Sequence, residues 1–144
     1  MTRKLLFFSS FIAFVFSINC FSAQEVDQKI IDAFGDEYVD NLVKTNVNHL
    51  NYLNCFLANS YEIVKISADI DDKFPLASSF LKKLKHQKEN NYVPDLDDFN
   101  VLMYNFPRDR KLKKSYRIDK TDYVIVFFSE NEFVEIFNNY VKNI

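Results

Sequence analysis

Hydrophobic residues recur at helical spacing in the first part of the chain that follows its apolar N-terminal run. Steps of three and four separate them through residue 57, which is the period of an amphipathic helix; they include Val26, Ile30, Phe34, Tyr38, Leu42, Val43, Val47, Leu50 and Leu57. Gly35 interrupts the pattern, and glycine is the residue that most readily ends a helix. The pattern therefore predicts two consecutive helices, at about 25–34 and 37–58.

Residues 61–66 fit two interpretations, a short strand or a continuation of the preceding helix. The sequence alternates enough for a strand, but Leu57, Tyr61 and Val64 keep the helical period, so a helical tail is favoured. The following residues, 67–98, are mostly polar. They are predicted to form a connection with one short helix after Pro75, since proline is tolerated in a first helical turn.

From Phe99 onward the hydrophobic period changes to two, which is the period of a strand. Strands are predicted at 99–106, 111–118 and 123–128. The last of them is apolar on both faces, as expected for a central strand that is covered twice. Because short turns separate the three segments, they are predicted to form an antiparallel β-meander.

The C-terminal segment carries the clearest helix signal of the chain. Ser129 is followed three residues later by Glu132, which is the spacing of a capping box. One helical face is then apolar, through Phe133, Ile136, Phe137, Tyr140, Val141 and Ile144. The predicted fold class is therefore α+β, with N-terminal helices, a three-stranded antiparallel β-meander, and a C-terminal amphipathic helix packed on the sheet.

The N-terminus has the three parts of a secretory signal. Arg3 and Lys4 are followed by an apolar run over residues 5–18, and small residues lie between Cys20 and Ala23. The sequence predicts a signal peptide at 1–23, a single domain at 24–144, and a periplasmic or extracellular location. The alternative is lipid attachment at Cys20, which would make the protein a structural envelope lipoprotein.

The composition excludes several common chemistries. The chain contains 1 Gly, whereas phosphate-binding loops, dinucleotide fingerprints and nucleophile elbows need several. His49 and His86 have no His or Cys at zinc-site spacing, and Cys55 lies among apolar residues, which indicates a buried thiol. No cofactor, metal site, catalytic residue or transmembrane segment of the mature chain is predicted, and a non-enzymatic role is favoured.

Two short acidic clusters, at residues 69–72 and 95–98, leave an enzyme as the alternative function. Carboxylates at these positions usually cap turns, and neither cluster has the glycine or the distant glutamate of a calcium loop. The alternative function is an envelope hydrolase that uses loop carboxylates among Asp69, Asp71, Asp95, Asp97 and Asp98.

Cationic residues are concentrated between Lys73 and Lys120, whereas residues 25–40 are rich in carboxylates. One interpretation of the densest basic stretch is an edge strand that lysine and arginine protect from aggregation. The other is a surface for an acidic protein or an anionic envelope surface. Nucleic acid is not expected as a partner, since the net charge is −2. The predicted binding residues are Arg108, Arg110, Lys111, Lys113, Lys114 and Arg117.

Two stretches resemble a loose group of small exported bacterial proteins that have no assigned activity. The first runs from Tyr116-Arg117-Ile118 through the apolar strand Val124–Phe128 to Ser129-Glu130 and Phe133; the second is Leu50–Leu53. The resemblance concerns structural positions and implies no functional residues. The leading hypothesis from the sequence is therefore an exported protein that binds another macromolecule, in the manner of an immunity or inhibitor protein.

Overall fold

Four α-helices and a three-stranded antiparallel sheet form the regular structure in the computed structural model, which describes residues 25–67, 73–82 and 96–144. The predicted α+β class, with helices before the sheet and one helix after it, is confirmed. The signal peptide predicted at 1–23 and the lipid site at Cys20 lie outside the described residues. The division into a signal and one domain stays a prediction.

Three helices form the N-terminal part: α1 (Gln28–Phe34), α2 (Asp36–Thr45) and α3 (Val47–Asn59). Gly35 ends α1 with a φ of 86°, in the region that favours glycine. The second predicted helix, at 37–58, is divided at Asn46. The Asn46 side chain accepts a hydrogen bond from the backbone N–H of His49 at 3.1 Å, so it caps α3.

The sheet has the order β1-β3-β2, with β1 at Tyr61–Lys65, β2 at Lys114–Arg117 and β3 at Tyr123–Phe127. Both pairings are antiparallel. The most apolar strand, β3, is central, as its sequence predicts, and its residues Val124, Ile125 and Phe127 are buried.

The prediction of a helical tail at 61–66 was wrong, because this segment forms β1. Ser60 ends α3, and Tyr61 to Lys65 then pair residue by residue with Phe127 to Tyr123. Ile63 and Val64 are β-branched and suit a strand. Pairing with a strand some sixty residues away outweighs the local helical period. The spacing of neighbouring residues contains no information about this pairing.

The strand predicted at 99–106 was also wrong, so the sheet contains one hairpin rather than a meander. Val101–Met103 forms a short 3₁₀ turn. Asn100 is buried; its side chain accepts from the backbone N–H of Leu102 at 3.1 Å and donates to the carbonyl of Lys29 at 2.7 Å. Residues 99–104 are all buried, so their alternation does not separate a core face from a solvent face.

The short helix predicted after Pro75 is a 3₁₀ turn at Ala77–Phe80. It is joined to the hairpin because the Ser78 backbone N–H donates to Asp119 at 2.8 Å. The Arg117 N–H also donates to the Pro75 carbonyl at 2.8 Å, so this segment covers part of the outer edge of β2.

The terminal helix, α4 (Glu130–Lys142), has the predicted capping box between Ser129 and Glu132. It packs mainly along α3. Phe133 meets Tyr52 and Phe56 edge to face, with ring centroids 5.6 and 5.5 Å apart. The end of β3 lies next to this contact, since Phe56 also stacks on Phe127 at 6.3 Å.

Candidate functional site

Residues 107–114, here named the basic loop, follow the segment 99–106 and lead into β2, whose first residue is Lys114. Asp109 fixes the turn within this loop: one of its carboxylate oxygens accepts from the backbone N–H groups of Lys111 at 2.8 Å and Leu112 at 2.9 Å. Aspartate commonly organises turns in this way. These hydrogen bonds lower the pKa of Asp109, because they favour its charged form.

The basic loop is also hydrogen-bonded to the start of α4. The backbone N–H groups of Glu130 and Asn131 donate to the carbonyls of Asp109 and Arg110, at 2.9 and 3.1 Å. Groups in the first turn of a helix have no partner within the helix, so the loop supplies acceptors that the helix requires. The Tyr116 hydroxyl donates to the carbonyl of Pro107, the first residue of the loop. The first half of the loop is therefore held by these hydrogen bonds, and its last residue, Lys114, pairs with Phe127 in the sheet.

Four of the six predicted binding residues lie on the outer side of this loop, with Leu112 between them. Leu112 is 63 % exposed. The Lys113 ammonium lies 4.7 Å from the centre of the Phe128 ring, within cation–π range. The exposed cationic residues are Arg110, Lys111, Lys113 and Lys114.

The structure turns the other two predicted residues inward. The Arg108 guanidinium lies over the rings of Phe133 and Phe56, at 5.3 and 5.4 Å, and donates to the carbonyl of Phe128 at 3.0 Å. Burial lowers the pKa of Arg108. Arg117 is half-buried, and its Nε donates to the carbonyl of Thr121 at 3.2 Å.

Behind the basic loop, Arg108 lines a cavity of about 280 Å³ between α3 and the segment 101–106. Sequence reasoning missed this feature, since its walls come from distant parts of the chain. The high aromatic content was the one available signal. The lining residues are Phe34, His49, Tyr52, Leu53, Phe56, Lys82, Val101, Leu102, Tyr104, Asn105, Phe106, Arg108 and Phe127.

The remaining nucleophilic and metal-binding candidates are dispersed. Cys55 is buried, as its sequence context predicts, and burial raises the pKa of its thiol. His49 lies at the aromatic cavity, 6.2 Å from Tyr52 between ring centroids, while His86 falls outside the described residues. Within residues 25–67, 73–82 and 96–144, no three His, Cys, Asp or Glu side chains converge as metal ligands.

Two of the five carboxylates considered for a hydrolase can be located. Asp97 and Asp98 are exposed in the turn that precedes Phe99. Asp69, Asp71 and Asp95 lie outside the described residues.

No helix within the described ranges is long and apolar enough to cross a membrane. Comparison of the chain with protein-family models, with curated proteins and with solved structures finds no match.

Proposed function

We propose that this protein is an exported binding protein, and that the outer side of its basic loop docks on an acidic surface of a partner protein. The observation that carries the proposal is the arrangement around Leu112. This exposed apolar side chain belongs to a loop held by hydrogen bonds to Asp109 and to α4, and four exposed cationic residues, Arg110, Lys111, Lys113 and Lys114, flank it in the sequence.

Order in the free loop favours binding. A loop that is already fixed loses little conformational entropy when a partner docks, so more of the contact energy appears as affinity. The hydrogen bonds of Asp109, the α4 N-terminus and Tyr116 provide this order without using the outward-facing side chains. None of these hydrogen bonds uses a cationic group of the loop, although the Lys113 ammonium also lies over the Phe128 ring.

The charges favour a partner with exposed carboxylates. Cationic clusters accelerate encounter with acidic surfaces and select against cationic ones, while the apolar Leu112 adds contact area in the centre. An anionic envelope surface satisfies the same charge requirement but gains less from a single leucine. An acidic protein is therefore the preferred partner, and an immunity- or inhibitor-like role fits a small protein that acts through one face.

Export belongs to the same proposal. The N-terminal pattern of Arg3, Lys4 and the apolar run over residues 5–18 supports cleavage near residue 23 and a periplasmic or extracellular location. The intact mass of the protein recovered from its host tests this directly. Cleavage after residue 22 or 23 supports export as proposed, whereas a lipid-modified Cys20 at the new N-terminus supports the envelope lipoprotein.

Crosslinking in the native host, with a C-terminal tag on the full chain and identification by mass spectrometry, tests the binding surface. One stoichiometric protein partner is expected, and it is lost in the triple variant Lys111→Glu, Lys113→Glu, Lys114→Glu. The matched control reverses three other exposed lysines, Lys44, Lys65 and Lys73, and should keep the partner. Equal capture by both triple variants at low salt would show that the basic loop is the wrong surface.

A further inference from the structure

The aromatic cavity behind the basic loop carries positive charge without an acidic group among its described lining residues. Arg108 and Lys82 supply this charge, and six aromatic side chains also line the cavity. At about 280 Å³ the cavity is close to the lower end of the range for small-molecule sites, roughly 300–1,000 Å³. Its size suits a ligand built around a single ring.

Arg108 has hydrogen-bonding capacity that the protein does not use. One of its terminal nitrogens donates to the carbonyl of Phe128, but its Nε is buried and finds no acceptor among the residues that the structure describes. Buried donors are normally paired, and a specific exception calls for an explanation such as an absent ligand. Glu130 acts on Arg108 electrostatically but forms no ion pair with it within the described chain.

The second cation lies on another wall. The Lys82 ammonium donates to the carbonyl of Leu102 at 3.0 Å, which leaves two of its three protons for other acceptors. Burial lowers the pKa of Lys82, as expected for a cation among apolar groups. An anion in the cavity would therefore offset the cost of two partly buried cations.

The most solvent-exposed residues of the cavity lining are Tyr52 and Asn105. Tyr52 is 37 % exposed, and Asn105 is exposed. Asn105 lines the cavity, and its backbone N–H donates to the carbonyl of Phe80 at 2.7 Å. A substitution of its exposed side chain therefore changes the cavity lining and leaves this backbone hydrogen bond in place.

We propose that this cavity binds a small organic carboxylate with an aromatic body. The carboxylate would accept hydrogen bonds from the guanidinium of Arg108, which offers planar donors suited to this group. The ring would pack against the aromatic walls, where offset and edge-to-face contacts are favourable. This inference does not depend on the basic loop as a docking surface, because none of the exposed cations of the loop lines the cavity.

The test uses two probes of nearly equal shape on the unaltered protein: 3-phenylpropionate and its neutral analogue 3-phenylpropanamide. Binding is followed by ¹H–¹⁵N NMR, which also resolves arginine Nε–H signals. We expect the carboxylate to bind at least about tenfold more tightly and to shift the Arg108 Nε–H signal, since a hydrogen bond to a charged group is stronger than one to a neutral group. Equal affinity, no binding, or shifts confined to other surfaces would overturn the proposal.

Asn105→Asp then probes the cavity without requiring a core substitution. A carboxylate at this exposed part of the lining should weaken the binding of 3-phenylpropionate several-fold through like-charge repulsion and leave the binding of the amide unchanged. Asn138→Asp, on the exposed side of α4, adds the same charge elsewhere and should have no effect. Equal responses of the two variants would show that the carboxylate does not bind at this cavity. Arg108→Gln, provided that its NMR spectrum shows a folded protein, should abolish the preference for the carboxylate.

Discussion

Arg108 and Arg110 are two residues apart, yet they belong to two different regions of the molecule. Arg108 lies in the aromatic cavity, where it packs over the rings of Phe56 and Phe133. Arg110 lies on the outer side of the basic loop, and it uses its backbone carbonyl, not its side chain, to contact α4. The comparison shows that the residues of one basic stretch do not all form one surface. The fold packs some of these cationic side chains against other residues and leaves others exposed to a partner.

Asp109, between these two arginines, keeps the regions apart. Its carboxylate accepts from Lys111 and Leu112, while its carbonyl accepts from Glu130. These bonds fix both groups of Asp109, so they favour one conformation of the backbone between the two arginines. We expect the stability of the protein to depend on the cavity side and partner binding to depend on the loop side.

The largest expected effect on stability comes from comparing Phe127→Ala, on the cavity side, with Phe128→Ala, on the loop side. Phe127 is 1 % exposed and packs on Phe106 with ring centroids 5.1 Å apart, whereas Phe128 is half-buried beneath Lys113. Removing a buried phenylalanine leaves a cavity, so Phe127→Ala should lower the free energy of unfolding by about 3–5 kcal/mol. Phe128→Ala should cost about 1 kcal/mol, closer to an average substitution.

Urea denaturation monitored by circular dichroism measures both losses. The m-value should be the same in the two variants if each still unfolds in one step from the same fold. Equal losses of unfolding free energy would contradict the division into a buried cavity side and an exposed loop side.

Arg108→Gln and Arg110→Gln form a smaller and more direct comparison. Arg108→Gln removes a charged donor to the Phe128 carbonyl and the stacking on two rings, so it should cost about 2 kcal/mol of unfolding free energy. Arg110→Gln should stay within about 0.5 kcal/mol, since the side chain is exposed. Thermal unfolding at a fixed protein concentration distinguishes them, and an Arg108 variant as stable as the unaltered protein would refute a packing role.

The sequence is sufficient to predict those parts of the fold whose signals are local. Gly35 ends a helix because its backbone conformation is needed there, and Ser129 and Glu132 begin α4 through a bond across three residues. The central position of β3 follows from its apolar residues on both faces. These predictions depend on residues close together in the chain, so the pattern contains the required information.

The parts that were not predicted depend on distant pairs. Segment 61–65 forms a strand because it pairs with β3. Segment 99–104 does not join the sheet, because the Asn100 side chain is hydrogen-bonded to Lys29 and the segment is buried on every side. Whether an arginine is exposed or turned inward also depends on distant contacts. The alternation of polar and apolar residues does not show which side of the segment packs against α4. The cavity has walls from α3 and from the segment 101–106, so no stretch of sequence contains it.

The pH dependence of stability gives the smallest predicted effect, and it concerns the hydrogen bonds that fix the basic loop and α4. The backbone N–H groups of Lys111 and Leu112 lower the pKa of Asp109, and the backbone N–H and hydroxyl of Ser129 lower the pKa of Glu132. Both folded values lie below the unfolded values, which are near 4. The stabilisation is therefore complete above about pH 5 and is lost as the pH falls through the folded values.

The double variant Asp109→Asn, Glu132→Gln should flatten this decline, because amide oxygens still accept the hydrogen bonds but do not titrate. Thermal midpoints measured between about pH 7 and pH 3 should fall less steeply in this variant than in the unaltered protein. Asp40→Asn, Glu135→Gln is the matched control, since those exposed carboxylates accept no hydrogen bond within the described chain. If the control flattened the decline equally, general charge repulsion at low pH would explain it. The Asp109 carboxylate would then not be what orders the loop. Only the hydrogen bonds to α4 would explain why the two arginines lie in different regions.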